Sequence, residues 1–106
     1  MNYRKITAII PESSLKSVED ALLAEGVSGV TVSSAHGYGE YRNFYAKDNM
    51  NDCSRIEVFV EKGKTKKIVK AIASSVSHGL KSDGIIAILP VEEFIHIREF
   101  NKANAE

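Results

Sequence analysis

The sequence predicts an α+β domain in which one antiparallel β-sheet carries two helices on the same face. Three observations support this fold class. Short segments of alternating apolar residues indicate strands, two segments with apolar residues at helical spacing indicate helices, and the order is strand–helix–strand twice. The 106 residues are sufficient for a single domain with a modest core.

A strand, a helix and a second strand are predicted in the first half of the chain. The first strand spans residues 5–10 and turns alternate side chains toward a core. Ser13 or Ser14 can cap the helix through its hydroxyl, and Gly26 can close it in a left-handed conformation. Residues 29–35 form the second strand. The apolar residues that define these elements are Ile6, Ala8 and Ile10 in the strand and Leu15, Val18 and Leu22 in the helix.

The same order recurs in the second half. Alternation resumes over residues 55–60, Thr65 can cap a second helix, and Gly79 ends that helix. Residues 85–89 are predicted as a buried strand that stops at Pro90. The apolar residues that define the strand and the helix are Ile56, Val58 and Val60, followed by Ile68, Ile72 and Val76.

A short fifth strand completes the prediction. On this C-terminal strand Ile95 and Ile97 are predicted to point inward, and Phe94, His96 and Arg98 outward. Residues 101–106 have nothing to bury, so we expect a frayed tail after a single domain that spans residues 1–100.

This β-α-β-β-α-β order is that of the ferredoxin-like fold. Right-handed crossovers place both helices on one side of the sheet and leave the other face open. The open face carries both apolar and polar side chains, which a partner subunit explains better than bare solvent does, so we expect an oligomer. Its residues are Thr7, Ile9, Thr31, Ser33, Arg55, Glu57 and Phe59.

Charge, cysteine content and hydropathy restrict the function classes. Lys plus Arg and Asp plus Glu number 14 each, so no overall field favours nucleic acid or an anionic membrane. Cys53 is the single cysteine, which excludes an internal disulfide. No apolar segment has the length of a signal or a membrane span, so we expect a cytoplasmic protein without direct membrane insertion.

Catalytic motifs are absent from the sequence. It contains no nucleophile elbow, no P-loop and no His–Glu metalloprotease signature. An acyl phosphatase shares the β-α-β arrangement but needs an arginine-bearing loop after the first strand, and residues 11–14 contain no arginine. We therefore expect a protein that is not an enzyme.

The segment between the two halves has no periodicity. Gly37-Tyr38-Gly39 can bring backbone N–H groups close to a phosphate, or it can be a strand exit with a packed aromatic. Three aromatic side chains farther along can dock on a partner or fold back on the base of the loop. They are Tyr41, Phe44 and Tyr45.

Four residues with metal-binding side chains are spread along the chain. Imidazole and thiolate suit zinc or copper, but no pair has the close spacing of a zinc motif. Separate surface histidines and a loop thiol are the simpler interpretation, and a cleft between subunits remains an alternative way to bring them together. The residues are Cys53, His36, His78 and His96.

Taken in order, seven segments resemble those of the PII signalling proteins over nearly the whole chain. No single segment is specific, but their order and spacing together are a strong signal. Residues 37–39 match the Gly-Phe-Gly that precedes the family's long T-loop, and residues 82–84 lie in its B-loop. The seven segments are residues 6–11, 26–32, 37–39, 55–60, 82–84, 88–93 and 95–98.

The resemblance implies a homotrimer of ferredoxin-like subunits that binds adenine nucleotides in clefts between subunits. It also implies a T-loop over about residues 37–53 that docks on transporters or other regulators, and a B-loop over about residues 78–85. Arg98 is then the phosphate clamp, with charge-assisted bonds. By position, the nucleotide-binding residues are Thr31, Gly37, Tyr38, Gly39, Val58, Phe59, Gly79, Ser82, Asp83, Gly84, His96 and Arg98.

Several departures from the family pattern remove positive charge from the expected phosphate site. Glu40-Tyr41 replaces Arg-Gln, Ile85 replaces a basic residue, His96 replaces an arginine and Cys53 replaces a lysine. Each lost charge-assisted contact costs about 1.5–3 kcal/mol. The pattern therefore favours ADP or AMP over ATP, and the T-loop is several residues shorter than is usual.

The sequence thus predicts a PII-like regulator with no tightly bound cofactor. An adenine nucleotide or a small anion would act as effector, and the short T-loop would contact a membrane transporter or other regulatory partner. The alternative is a metal-ion-responsive trimer linked to metal tolerance or efflux, using Cys53 and the histidines.

Overall fold

The computed structural model describes residues 2–37, 51–76, 79 and 83–105. Within these ranges the chain forms four strands and three helices, and a 3-10 turn precedes each of the first two helices. The strands are β1 (Tyr3–Pro11), β2 (Thr31–Gly37), β3 (Asn51–Glu61) and β4 (Ile85–Val91). The helices are α1 (Leu15–Ala24), α2 (Thr65–Val76) and α3 (Ile97–Ala103), and the turns are Glu12–Ser14 and Lys62–Lys64.

The four strands form one antiparallel sheet in the order β2-β3-β1-β4. Ile6 lies between Val58 of β3 and Ile88 of β4, and Thr31 lies opposite Glu57. The central strands are therefore the first strands of the two halves. This arrangement confirms the predicted α+β, ferredoxin-like fold.

Alternation along β1 and β3 places the core on the face that the helices cover. Ile6, Ala8 and Ile10 are buried there, opposite the apolar stripes of α1 and α2. Burying a large aliphatic side chain of this kind stabilises the fold by about 1.5–3 kcal/mol. The helical residues of this core are Val18, Leu22, Ile68, Ile72 and Val76, as the sequence spacing predicted.

The predicted hydroxyl caps are wrong, because the chain enters both α1 and α2 from a 3-10 turn. Ser14 is the N-cap residue of α1 but has φ −94° and ψ −6°, and its side chain makes no capping hydrogen bond. A capping hydroxyl needs an extended backbone at this position. Thr65 is already the first residue of α2, and its buried hydroxyl has no hydrogen-bond partner. Gly26 does adopt the predicted left-handed conformation, with φ 81°.

The predicted buried strand over residues 85–89 is an edge strand and continues through Pro90 to Val91. Proline is tolerated at a sheet edge, where its missing N–H leaves no central ladder bond unmade. The side chains of β4 are largely exposed, and Leu89 on the open face is 43% exposed.

The predicted fifth strand is wrong. Residues 97–103 form α3, and both Ile95 and Ile97 are exposed rather than inward. The first residues of the expected frayed tail, Asn101 to Ala103, belong to this helix. Glu99 in its first turn and Lys102 in its last turn complement the helix dipole, which favours a helix here.

Candidate functional site

A cleft of about 580 Å³ lies at the end of the sheet where β1 begins and β3 ends. The segment after α1 forms one wall, and the segment after β4 forms another. Gly26 makes the turn between α1 and the first wall possible because of its positive φ. The residues that line the cleft are Tyr3, residues 25–31, Glu57, residues 59–61, Lys64, Ile68, Phe94 and His96.

Four rings cluster in this cleft, with Phe94 at their centre. The Phe94 ring centroid lies 4.4 Å from that of Tyr3 and 5.2 Å from that of Phe59, with tilts of 32° and 37°. The His96 ring meets Phe94 edge-on at 4.9 Å. Such distances lie in the favourable range for aromatic pairs. The cluster holds the segment after β4 across the open face of the sheet.

Ion pairs order the charged side chains of the open face. Glu57 pairs with Lys5, and its carboxylate also lies 3.9 Å from Nε of Arg55. The hydrogen bond from Lys5 lowers the pKa of Glu57, and the charges of Lys5 and Arg55 act in the same direction. Arg55 also donates to the Ser33 hydroxyl at 3.2 Å. The Glu57 carboxylate is thereby kept ionised at the floor of the cleft.

The remaining charges of the cleft are mainly acidic. Glu25 and Glu61 line it together with Glu57, whereas Lys64 is the single cation among the described lining residues. Glu25 accepts from Lys67 of α2 at 3.1 Å, so its charge is partly compensated from outside the cleft. A polyphosphate would therefore find little positive charge on this part of the chain.

A second cavity, of about 320 Å³, lies at the other end of β1, between α2 and β4. Ile10, Asp83 and Gly84 are among its lining residues. Gly84 has φ 109°, and a Cβ atom there would overlap the carbonyl oxygen of Ile9. The Gly79 backbone N–H donates to the Asp83 carboxylate at 3.1 Å, which links residue 79 to the segment that enters β4.

The predicted nucleotide-binding residues fall into two groups within one chain. Thr31, Phe59 and His96 line the cleft at the Tyr3 end of β1, whereas Asp83 and Gly84 line the cavity at the Ile10 end. At about 3.3 Å per residue, the strand between Tyr3 and Ile10 spans roughly 23 Å. A single chain does not bring the two groups together.

The other predicted site residues lie elsewhere. Gly37 ends β2, Val58 is buried in the core, Gly79 has φ 72°, and Arg98 is exposed on α3. Tyr38, Gly39 and Ser82 lie outside the described residues, as do the predicted docking residues Tyr41, Phe44 and Tyr45.

The metal alternative finds no support within residues 2–37, 51–76, 79 and 83–105, where no group of three His, Cys, Asp or Glu side chains is arranged to hold a metal ion. Cys53 is buried opposite Pro11 of β1, and His96 lies near the other end of that strand. His36 lies opposite Asp52 in the sheet, and His78 lies outside the described residues.

The surroundings of the Cys53 thiol suit a structural role, because the residue is buried and its thiol is hydrogen-bonded. Its Sγ–H donates to the carbonyl oxygen of Ala35 at 3.3 Å. Burial raises the pKa of this thiol, and the negative charge of Asp52 raises it further. The thiol form is therefore favoured over the thiolate form that metals and electrophiles require.

Sequence reasoning missed Tyr3 and Phe94 as members of the cleft. The sequence predicts Phe94 to point outward from a fifth strand, and it leaves Tyr3 before the first predicted strand, which begins at residue 5. The alternation of side chains along β1 could have indicated Tyr3, because this residue lies on the open face with Thr7 and Ile9. No comparable signal marks Phe94, whose position depends on how the chain leaves β4.

Within the part of the chain that the structure describes, every helix is too short or too polar to cross a membrane.

Known proteins match the chain over most of its length. The family model for nitrogen regulatory protein P-II matches residues 3–101. The nitrogen regulatory protein P-II of Azospirillum brasilense is 33% identical over 107 residues, covering 93% of this chain and 95% of that protein. The protein of the same name from Synechocystis sp. is 31% identical over 106 residues, with the same coverage. A crystal structure of Arabidopsis thaliana PII bound to citrate has a TM-score of 0.79 and 31% identity, covering 92% of this chain and 84% of that chain.

Proposed function

Because the chain belongs to the P-II family of nitrogen regulatory proteins, whose members are signal-transduction regulators and not enzymes, we propose that it is a cytoplasmic, homotrimeric sensor. Its effector is an adenine nucleotide or another small anion, bound between subunits. Binding alters how the segment between β2 and β3 fits a membrane transporter or other regulatory partner.

The separation of the predicted site residues is the observation that carries this proposal. Thr31, Phe59 and His96 belong to one end of the sheet and Asp83 and Gly84 to the other. A site that uses both groups needs two copies of the chain, placed so that the cleft of one faces the second cavity of the next. The exposed apolar residues Phe59, Ile85 and Leu89 of the open face support such an assembly, because a neighbouring subunit would bury them.

The charge pattern supports ADP or AMP as the preferred nucleotide. Cys53, at the position of the family's lysine, is buried and bonded to a strand carbonyl, so it offers a terminal phosphate no charge. Ile85, at the position of another basic residue, is an apolar side chain of β4. Each missing charge-assisted contact costs about 1.5–3 kcal/mol of binding free energy. Since about 1.4 kcal/mol is a tenfold change in affinity, each one weakens binding by about tenfold or more. The citrate bound to the Arabidopsis relative supports a small polyanion as the alternative effector.

Regulation of a partner requires that the ligand distinguish two states of the intervening loop. Gly37 and Asn51 are paired at the ends of β2 and β3, so the loop is anchored on the sheet beyond the Pro11 end of β1. Tyr41, Phe44 and Tyr45 are the proposed docking residues, since aromatic side chains often dominate the binding energy of an interface.

Isothermal titration calorimetry with ATP, ADP, AMP and cyclic AMP tests the proposal. We expect ADP or AMP to bind more tightly than ATP. Arg98→Ala should weaken ADP binding by about tenfold or more, because it removes a charge-assisted contact to phosphate. Lys102→Ala, on the same exposed helix, is the matched control and should leave binding unchanged. No measurable binding of any of the four nucleotides, or equal effects of the two substitutions, would contradict the nucleotide site.

A further inference from the structure

The outer side of α2 carries a row of lysines that the proposed nucleotide sensor does not use. Residues 62–76, which include the turn before α2, contain five lysines and no acidic residue. Three of them, Lys62, Lys66 and Lys70, follow one another at intervals of four residues, and all three are exposed. The opposite side of the helix is buried in the core, so this lysine row faces away from the sheet.

The charge of the lysine row is not compensated within the described part of the chain. There, none of its three members pairs with a carboxylate, whereas the neighbouring Lys67 pairs with Glu25 at 3.1 Å. Like charges four residues apart destabilise a helix. Cations near a helix N-terminus also oppose the helix dipole, and the first turn of α2 has no acidic residue. An anionic surface against this row would relieve both costs.

The composition of this segment fits a diffuse anionic surface better than a structured partner. Arginine binds carboxylates and phosphates in a fixed bidentate geometry, whereas lysine is a flexible point charge. Residues 62–76 contain no arginine and no aromatic residue. They therefore lack the residues that dominate protein interfaces and the rings on which single-stranded nucleic acid stacks. A leaflet of anionic lipids needs only clustered lysines close to its surface.

The lysine row remains accessible in the proposed trimer. The helices cover one face of the sheet, and Phe59 and Leu89 lie on the other, open face, which neighbouring subunits would bury. The subunit contacts and the lysine row therefore occupy opposite sides of each chain.

We propose that Lys62, Lys66 and Lys70 form a docking surface for anionic phospholipid headgroups, which holds the protein against the membrane of its transporter. The inference rests on the proposed function for the membrane partner, but it needs no bound nucleotide. The formal net charge of the chain is zero, so the attraction is local to this row.

Co-sedimentation of the full-length chain with lipid vesicles tests the docking surface. We expect binding to vesicles of phosphatidylcholine mixed with phosphatidylserine, and none to vesicles of phosphatidylcholine alone. Binding should be lost at about 1 M salt, where the Debye length falls to about 3 Å. Equal binding to both kinds of vesicle, or binding to neither, would overturn the docking surface.

Two charge-matched variants separate the lysine row from net charge. Lys66→Gln combined with Lys70→Gln should weaken binding to the mixed vesicles by about 25-fold, since each lysine near an anionic leaflet contributes about fivefold. Lys16→Gln combined with Lys102→Gln removes the same charge from α1 and α3, and Lys16 is already paired with Asp20. This control should bind within about twofold of the unaltered chain, because surface substitutions away from a site have small effects. Equal losses in the two variants, with unchanged thermal midpoints, would overturn the docking surface.

Two further probes would identify a different partner. A short DNA duplex or a polyglutamate peptide that binds through Lys66 and Lys70, while the mixed vesicles do not, would assign this side of α2 to nucleic acid or to an acidic protein segment, and the lipid proposal would be wrong.

Calorimetry with ADP separates this inference from the proposed function. Neither Lys66 nor Lys70 is among the described residues that line the cleft, so their double substitution should leave ADP binding unchanged. ADP binding without vesicle binding would overturn the docking surface alone. Vesicle binding without any nucleotide binding would overturn the proposed sensor alone.

Discussion

Gly84 fits its surroundings only because its side chain is a hydrogen atom. Its φ of 109° is unfavourable for any residue with a Cβ, and that atom would meet the backbone of Ile9 and Ile10. Gly84→Ala should therefore lower the free energy of unfolding by about 2–5 kcal/mol, from backbone strain and overpacking together. Urea denaturation monitored by circular dichroism measures the change.

Gly63 provides the matched control for this substitution. It lies in the 3-10 turn before α2, and an added Cβ there meets nothing within 4 Å. Gly63→Ala should change the free energy of unfolding by no more than about 0.5 kcal/mol. Similar values for the two substitutions would contradict the close approach of Gly84 to β1.

The Glu57 carboxylate makes the stability of the fold depend on pH. Its pKa is lowered in the folded chain by the hydrogen bond and charge of Lys5 and by the charge of Arg55. The unfolded chain therefore binds a proton at this site at a higher pH than the folded chain does. The stabilisation is present at pH values above 4.5, the ordinary pKa of the group, and it is lost as the pH falls through the lowered pKa of the folded chain.

Glu57→Gln should consequently reduce the thermal midpoint at pH 7 and reduce it progressively less as the pH falls below about 4, near the ordinary glutamate range. Thermal melts at pH 7 and pH 3 give the comparison. Glu92→Gln, at an exposed position after β4, should follow the unaltered chain at both pH values. A constant offset between Glu57→Gln and the unaltered chain across this range would show that Glu57 contributes no acid-dependent stability.

The helices differ in how far the sheet depends on them. Ile72 of α2 is 1% exposed in the core, whereas Ile97 of α3 is 77% exposed. Ile72→Ala should lower the free energy of unfolding by about 2–5 kcal/mol, because it removes buried methyl groups and leaves a cavity. Ile97→Ala removes the same atoms from an exposed position and should change it by less than about 0.5 kcal/mol. Equal losses in urea denaturation would mean that α3 is packed as tightly as α2.

The sequence was sufficient to predict the elements whose pattern is local and repeated. Ile6, Ala8 and Ile10 alternate, and Ile68, Ile72 and Val76 recur every four residues, so strand and helix were distinguishable. The lower limit of β3 was missed: residues 51–54 carry no clear alternation and are strand because β2 pairs with them.

The C-terminal segment shows why a two-residue period can mislead. Ile95 and Ile97 alternate with polar residues, yet a strand also needs a neighbour that pairs with it. Phe94 packs on Tyr3 and Phe59, so the chain crosses the open face instead of following the free edge of β4. With no partner strand, the local preference of Ile97–Ala103 for helix decides the outcome. Phe94 was missed as a member of the candidate site for the same reason, because it enters the site by this crossing.

Substitutions on the open face test the proposed trimer most directly. Leu89 lies on this face opposite Lys5 and is 43% exposed, whereas Leu23 lies on the outer side of α1 and is 66% exposed. Leu89→Lys should shift the sedimenting species from a trimer toward a monomer, since a buried charge without a partner is costly at an interface. Leu23→Lys should remain a trimer at the same micromolar concentration. A trimer that survives Leu89→Lys would place the subunit contact elsewhere.

The pairing of Gly37 with Asn51 has a consequence for how this protein can change over time. The two residues are register partners, so any segment that joins them leaves the sheet and returns to it at points about 5 Å apart. Lengthening such a connection costs only about 0.6 kcal/mol per doubling. Recognition segments of different length and sequence can therefore replace one another between Gly37 and Asn51 while the sheet and its helices stay unchanged.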